Sequence, residues 1–200
     1  QGFGVEAKTV SRHPATGSIS EGGRSVRDLH PAALFALFLA VAALLRWDTF
    51  GDPNMHGDEV FYHTVGLAMH HGAIPYVDVW DRKPFGLFTL FYLIGFLSGN
   101  VIAYQIAAAL FAAGTAFVIA MICRELDALS ERDGAAKAIG PLGAALAGLA
   151  YLFWLAPLGA YGGQSPIWYN LFIALAVWLV VRAIPDLRAG RAPAPLALAM

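Results

Sequence analysis

The stretch from His56 to Gly86, HGDEVFYHTVGLAMHHGAIPYVDVWDRKPFG, is the only long polar interval between apolar segments of this 200-residue chain. Its acidic and basic side chains are Asp58, Glu59, Asp78, Asp81, Arg82 and Lys83. The sequence on either side is apolar enough to form membrane helices. We therefore expect these helices to hold the polar interval at a membrane surface.

The composition is that of a membrane protein. Hydrophobic residues make up 58% of the chain and charged residues 14%, whereas soluble domains are about half apolar and about a quarter charged. A net charge of −1, without a dense basic run outside the loops, gives no reason to expect nucleic acid as a partner. The single cysteine, Cys123, cannot form an intrachain disulfide.

The predicted fold class is all-α, a polytopic membrane helical bundle. Apolar segments of suitable length predict spans at residues 29–50, 101–123, 139–158 and 167–184. Residues 1–28 are rich in Gly, Ser and charge and are expected to form a disordered cytoplasmic tail. Because the chain starts with Gln1 and ends in an apolar run, we expect residues 29–200 to be the N-terminal part of a longer transmembrane domain.

Two shorter helices are predicted in and after the polar interval. Residues 58–71 form an amphipathic pattern with one apolar face made by Phe61, Val65, Ala68 and Met69. Gly66 lies along this helix and allows a backbone or ligand to approach closely. Residues 85–97 are apolar but short for a span, which favours a helix lying at the interface.

The distribution of basic residues predicts the topology. If residues 85–97 do not span, ten of the 13 Lys and Arg residues lie on one side of the membrane. The exceptions are Arg46, Arg82 and Lys83. The positive-inside rule favours this arrangement. It places the N-terminus in the cytoplasm, and loop 52–84 in the periplasm if the membrane is a bacterial inner membrane.

The acid pair, the run from Asp81 to Lys83 and the histidine pair of the loop each have a simple structural interpretation as well. Asp58 and Glu59 can stabilise the first turn of a helix, where the dipole favours negative charge. The run from Asp81 to Lys83 can form a salt-bridged turn among lipid headgroups. The pair His70-His71 points in directions about 100° apart on a helix, which favours a solvated helix end over a metal site.

The combination of these groups is more specific than any one of them. An acid pair opens an amphipathic helix, and a carboxylate, two cations and a proline follow about 20 residues later. Cations at a membrane surface can stabilise a departing lipid phosphate. A carboxylate beside them can remove the proton of an acceptor hydroxyl. The pattern therefore suits group transfer from a lipid phosphate.

Three short motifs of the loop resemble those of a known family. They are Asp58-Glu59-x-x-Tyr62, Gly72-x-x-Pro75-Tyr76 and Asp81-x-Lys83-Pro84-x-Gly86. They are similar to the first extracytoplasmic loop of the GT-C glycosyltransferases, and most of all to the glycosyltransferase 39 or dolichyl-phosphate-mannose-protein mannosyltransferase-like family. That family includes the bacterial transferases that add aminoarabinose to lipid A. The resemblance covers about residues 29–184 and is strongest over 56–100.

The resemblance implies an inverting glycosyltransferase in which this loop forms two helices along the membrane. The donor would be a polyprenyl-phosphate sugar, the acceptor a hydroxyl of a lipid, protein or glycan, and the surroundings membrane lipids. The family's acid pair matches Asp58-Glu59, which we expect to be the catalytic residues, with Asp58 as general base and Glu59 positioning it by hydrogen bonding. Its Lys-Pro motif matches Lys83-Pro84, whose lysine contacts the lipid-linked phosphate. The further substrate-binding residues that we expect are Tyr62, Asp81, Arg82 and Gln164.

The chain departs from the family pattern at two places. Phe85 stands where the family usually has a second proline. The second outer loop, Gly159–Trp168, lacks the acid that several relatives use for a metal or the phosphate, and Gln164 is its most capable polar side chain. The cofactor is therefore left open between none and a divalent cation.

Two alternatives to catalysis remain open from the sequence. One is a non-catalytic or transport membrane protein, although transport predicts paired polar residues within the spans, which here hold little beyond Gln105 and Thr115. The other is a truncated relative that binds the lipid without turnover.

Overall fold

The computed structural model describes residues 29–53, 57–159 and 162–193. Within these ranges the chain is helical and has no β-strand, so the all-α prediction is confirmed. The six helices are α1 (Pro31–Leu44), α2 (Gly57–His70), α3 (Phe85–Gly95), α4 (Val101–Arg132), α5 (Gly140–Leu155) and α6 (Ser165–Arg188). The predicted tail at 1–28 lies outside the described residues.

Helix α4 lies at the centre and contacts α1, α5 and α6. The guanidinium of Arg124, late in α4, donates a hydrogen bond to the carbonyl of Leu29 just before α1 (2.9 Å). Gln105, early in α4, accepts one from the backbone of Gly51 just after α1 (2.7 Å). These two contacts show that α1 and α4 run in opposite directions.

Helix α6 runs in the same direction as α4. Arg182, late in α6, forms an ion pair with Glu125 late in α4 (3.5 Å), and Gly163, just before α6, packs against Tyr104 early in α4. We call the end of the bundle with Tyr104 and Gly163 the loop end, because α2 and α3 also lie there. The opposite end, with Arg124 and Arg182, is the basic end.

Among the helices that the structure describes, α4 and α6 are long and apolar enough to cross a membrane. This criterion of length and composition is also met by core helices of soluble proteins. The predicted spans at 101–123 and 167–184 fall within these two helices. Helices α1 and α5, of 14 and 16 residues, are shorter than the predicted spans at 29–50 and 139–158. The chain after α1 continues in turns through Gly51, which has a positive φ of 87°.

Helices α2 and α3 pack against each other closely. A β-carbon at Gly66 would lie 2.7 Å from the carbonyl carbon of Phe91, so the glycine admits the α3 backbone, as predicted for this position. Tyr62 packs edge-on against Phe91, with ring centroids 5.7 Å apart. His63 lies beside Tyr104, with centroids 5.2 Å apart. Aromatic packing therefore fixes α2 on α3 and α4.

The apolar face predicted for α2 packs only partly in the core, and the helix buries a second set of residues beside it. The buried residues are Glu59, Tyr62, His63, Val65 and Gly66. Of the predicted apolar face only Val65 is buried, and Phe61, Ala68 and Met69 are half-buried. The physical reason is that Phe91 of α3 and Tyr104 of α4 cover the face of α2 that carries Tyr62 and His63. The rings of Tyr62 and His63 can pack against these aromatic rings although both side chains are polar.

The expectation of a solvated end at His70-His71 holds for His71, which is exposed, and is wrong for His70. The His70 ring is half-buried and stacks on Tyr92, with centroids 4.4 Å apart. Its Nε2 lies 2.9 Å from the Tyr92 carbonyl oxygen. His70 therefore links the end of α2 to α3.

Candidate functional site

Asp58, Tyr62 and Lys83 meet at the loop end. The Tyr62 hydroxyl donates a hydrogen bond to Asp58 Oδ2 (3.1 Å), one helical turn away on α2. Lys83 Nζ lies 3.5 Å from the same oxygen and 5.4 Å from the centroid of the Tyr62 ring. The Asp58 side chain is 51% exposed, whereas Tyr62 is fully buried. The site thus presents an open carboxylate beside a cation and a fixed phenol.

The turn between α2 and α3 fixes the backbone of Lys83. The Tyr76 hydroxyl donates to the Lys83 carbonyl, and Asp81 Oδ1 accepts from the Lys83 amide (3.2 Å). Tyr76 has a φ of 69°, a left-handed conformation that is unfavourable for a residue with a β-carbon. Such strain persists where surrounding contacts impose it and is common at functional sites. Here the hydrogen bond from Tyr76 to Lys83 supplies one such contact.

Tyr76 was not among the predicted site residues. The signal that was available is its place in the Gly72-x-x-Pro75-Tyr76 motif, where an aromatic hydroxyl follows a glycine that ends a helix. Its partner, the Lys83 carbonyl, is seven residues further along the chain. The sequence gives no indication of that hydrogen bond.

The ionisable groups of the site modify one another. A hydrogen bond with the Tyr62 side chain, with attraction to Asp58 as a smaller contribution, raises the pKa of Lys83 above its ordinary value. Burial raises the pKa of the Tyr62 phenol. Lys83 is therefore a cation and Tyr62 a neutral hydrogen-bond donor throughout the neutral pH range.

Glu59 does not share this site with Asp58. Its side chain is 1% exposed and packs against Gly162 in the link between α5 and α6, where a β-carbon would collide with the carboxylate. It interacts electrostatically with Arg46, which is 2% exposed and follows α1. Adjacent helical residues point about 100° apart, so one acid faces outward and the other faces the bundle.

The remaining predicted residues occupy different surroundings. Arg82 is exposed. Asp81 holds the Lys83 backbone and is half-buried. Gln164 immediately precedes α6, and its Nε2 is buried without a hydrogen-bond partner among the described residues. The structure thus brings together Asp58, Tyr62, Lys83 and Asp81, with Glu59 apart.

An apolar groove adjoins Lys83. It lies between α3 and α6 and has a volume of about 740 Å³. Lys83 lies among its lining residues, and most of the others are apolar, including Leu90, Leu93, Trp168 and Phe172. The groove could not be predicted from the sequence, because its lining combines residues of α3 and α6 and neither helix carries a distinctive apolar pattern of its own.

No metal-ligand set occurs in the part of the chain that the structure describes. Within residues 29–53, 57–159 and 162–193 there is no group of three or more His, Cys, Asp or Glu side chains that could hold a metal. The neighbour of Asp58 is a lysine instead of a second carboxylate. The site as described therefore does not fit a divalent cation.

No protein-family model, curated protein or solved structure matches this chain in the comparisons. Its class follows from the fold and the site alone. Over the described residues it is helical, and two of those helices are long and apolar enough to cross a membrane. Its loop end carries a carboxylate–lysine pair beside an apolar groove.

Proposed function

We propose that this chain is the N-terminal part of a polytopic membrane glycosyltransferase of the GT-C type, in a bacterial inner membrane. It transfers a sugar from a polyprenyl-phosphate donor to a hydroxyl of a lipid, protein or glycan. One observation carries the proposal: Lys83 belongs both to the ion pair with Asp58 and to the lining of an apolar groove. A lipid phosphate presents the matching chemistry, an anionic head on an apolar chain.

The groove and Lys83 supply donor binding. Leu90, Leu93 and Phe172 offer apolar surface to a polyprenyl chain, with the usual gain of roughly 25 cal/mol per Å² of apolar area removed from water. The Lys83 ammonium lies at this groove and attracts the phosphate. Arg82 is the neighbouring exposed cation and adds to the positive potential at the phosphate.

Asp58 supplies general-base catalysis. Its half-exposed carboxylate accepts the proton of the acceptor hydroxyl as the hydroxyl oxygen attacks the anomeric carbon. The bond between the anomeric carbon and the phosphate oxygen breaks, and the phosphate leaves with the electron pair. Lys83 stabilises the negative charge on that phosphate. Attack from the face opposite the phosphate inverts the anomeric configuration.

Tyr62 and Asp81 keep these groups in position. The Tyr62 hydroxyl fixes one oxygen of Asp58, and Asp81 fixes the backbone of Lys83. Gln164 carries a buried amide donor without a partner among the described residues, which suits it to a polar group of the substrate.

The arrangement of the helices supports a membrane location. Only 22% of the most apolar stretch of α6 is buried inside the bundle. Most of this stretch therefore faces outward, where the hydrocarbon core of a membrane would cover it. The six described basic residues after α3 lie at or near the basic end. They are Arg124, Arg132, Lys137, Arg182, Arg188 and Arg191. The positive-inside rule then puts the basic end in the cytoplasm and the site in the periplasm.

A second candidate is a lipid-binding relative without turnover. The apolar groove and Lys83 favour it equally, because both act in binding. Catalysis and binding differ in their need for Asp58, so this residue decides between them.

The test uses the full-length protein in membranes with a panel of polyprenyl-phosphate sugars. We expect wild type and Asp48→Asn to release polyprenyl phosphate, and Asp58→Asn to be almost inactive. Asp48 is a matched control because it is an exposed carboxylate at the same end of the bundle. Near-normal transfer by Asp58→Asn would refute the role of this residue as base. If wild type binds the donor without releasing polyprenyl phosphate, the protein is the lipid-binding relative instead. If wild type shows neither binding nor release, the result favours a transport protein.

A further inference from the structure

A polar cavity, separate from the apolar groove, lies at the basic end between the late turns of α4 and α6. Its volume is about 460 Å³, and its charged lining residues are Arg132, Arg182, Arg191, Glu125 and Asp186. Three arginines against two acids leave one excess positive charge. The proposed transfer reaction, at the loop end, makes no use of this cavity.

The two acids of the cavity are already engaged. Glu125 pairs with Arg182 (3.5 Å), and Asp186 accepts hydrogen bonds from Arg191 Nη2 (2.8 Å) and Nε (3.1 Å). Arg132 is exposed and forms no ion pair with another described residue. The excess charge therefore resides on Arg132, with its guanidinium donors open to an anion.

Apolar and aromatic surface adjoins the cavity on α6. The Arg182 guanidinium lies 5.1 Å from the centroid of the Trp178 ring, and Trp is typical of membrane interfaces. Val180 and Val177 lie two and five residues before Arg182 on α6 and are 51% and 46% exposed. A lipid whose anionic headgroup is seated on Arg132 would thus find exposed apolar surface further along the same helix, which a free phosphate does not need.

We propose that this cavity binds the headgroup of an anionic phospholipid of the cytoplasmic leaflet, with the acyl chains along the exposed face of α6. Basic cavities between transmembrane helices on the cytoplasmic side recognise such headgroups. The proposal rests on the membrane crossing of α4 and α6, and it is independent of glycosyl transfer. A result on lipid binding and a result on transfer are therefore separate.

The test measures lipid retained by the full-length protein after delipidation in detergent, by native mass spectrometry. The added lipids are phosphatidylglycerol and phosphatidylcholine, each offered alone. We expect clear preference for phosphatidylglycerol and a loss of about fivefold in its binding with Arg132→Gln. Arg132→Lys, which keeps the charge, should retain most of the binding.

Arg188→Gln is the matched control. Arg188 is an arginine of the same helix end, but it pairs with Asp133 (2.9 Å) and is not among the residues that line the cavity. We expect this variant to bind phosphatidylglycerol like wild type. Equal binding of the two lipids, or an equal loss with Arg188→Gln, would overturn the proposal. So would full competition by millimolar inorganic phosphate, which would assign the cavity to a free anion.

Discussion

The Lys83 ammonium lies 3.5 Å from the Asp58 carboxylate and joins the start of α2 to the residues just before α3. The two side chains are 22% and 51% exposed, and pairs of this kind contribute only about 0.2–1 kcal/mol to stability. The relationship therefore matters for chemistry more than for folding. It keeps a base and a cation within reach of one ligand.

The two adjacent acids of α2 should differ sharply when substituted. Glu59→Ala removes a carboxylate that is 1% exposed and packed in the bundle, so we expect the free energy of unfolding to fall by about 1–3 kcal/mol. Asp58→Ala removes a half-exposed group and should cost about 1 kcal/mol or less. Denaturant unfolding of the detergent-solubilised variants measures both.

For transfer activity we expect the opposite ranking of the two positions: a conservative change at Asp58 should cost more activity than one at Glu59. Asp58→Asn abolishes transfer with the fold intact, whereas Glu59→Gln keeps the shape of the side chain and a measurable part of the activity. Equal losses of unfolding free energy in Glu59→Ala and Asp58→Ala would contradict this division of roles between the two acids.

This division could not be predicted from the sequence. Asp58 and Glu59 are equally good first-turn residues, and the period of α2 alone does not say which of its faces is covered. Glu59 is buried because Gly162, about a hundred residues later, packs on it. By contrast, local signals were sufficient for the helix bounds near Gly72 and Phe85, and for the close approach at Gly66.

The groove illustrates the same limit at a larger scale. The residues that line it on α3 and α6 were predicted only as parts of an interfacial helix and a span. The spacing between α3 and α6, which leaves the cavity beside Lys83, depends on how both helices pack on α4. Side-chain patterns within one helix contain no information on that spacing.

The stability of the site should depend on pH in the alkaline range. The folded-state pKa values of Tyr62 and Lys83 both lie above their ordinary values. Their contribution to the free energy of unfolding is therefore complete below about pH 10 and is lost as the pH rises through the folded-state values. Thermal unfolding of wild type and of Lys83→Gln between about pH 8 and about pH 11 measures the difference.

We expect the gap between wild type and Lys83→Gln to narrow as the pH rises. Lys137→Gln is the control, because Lys137 forms an exposed ion pair with Glu131 at the other end of the bundle (3.6 Å). A gap that stays constant through the alkaline range would show that Lys83 contributes to stability by packing and not by charge.

Gly66→Ala should disrupt the pairing of α2 and α3. The added β-carbon would lie within 3 Å of the Phe91 and Tyr92 backbone, which cannot move without shifting α3. We expect destabilisation of about 1–3 kcal/mol, as for other overpacked sites. Gly86→Ala, in the first turn of α3 with nothing near its β-position, should instead be neutral or stabilising by up to about 1 kcal/mol. Equal unfolding midpoints for the two variants would contradict this account.

Narrowing the groove should discriminate between donors by chain length. Leu93 lines the groove and is 55% exposed, so Leu93→Trp adds bulk there without strain in the core. We expect KM for a long polyprenyl-phosphate sugar to rise several-fold, while KM for a short-chain analogue changes little. The reason is that a short chain leaves most of the apolar groove empty, whereas a long chain must compete with the indole for the same surface.

Leu97→Trp is the control for that experiment. Leu97 is 85% exposed, follows α3 and is not among the residues that line the groove. The variant adds the same indole four residues further along at the loop end, so any general effect of a new aromatic residue on lipid partitioning should appear in both variants. A rise in KM that is shared by Leu97→Trp, or that is equal for long and short donors, would show that the polyprenyl chain does not lie between α3 and α6.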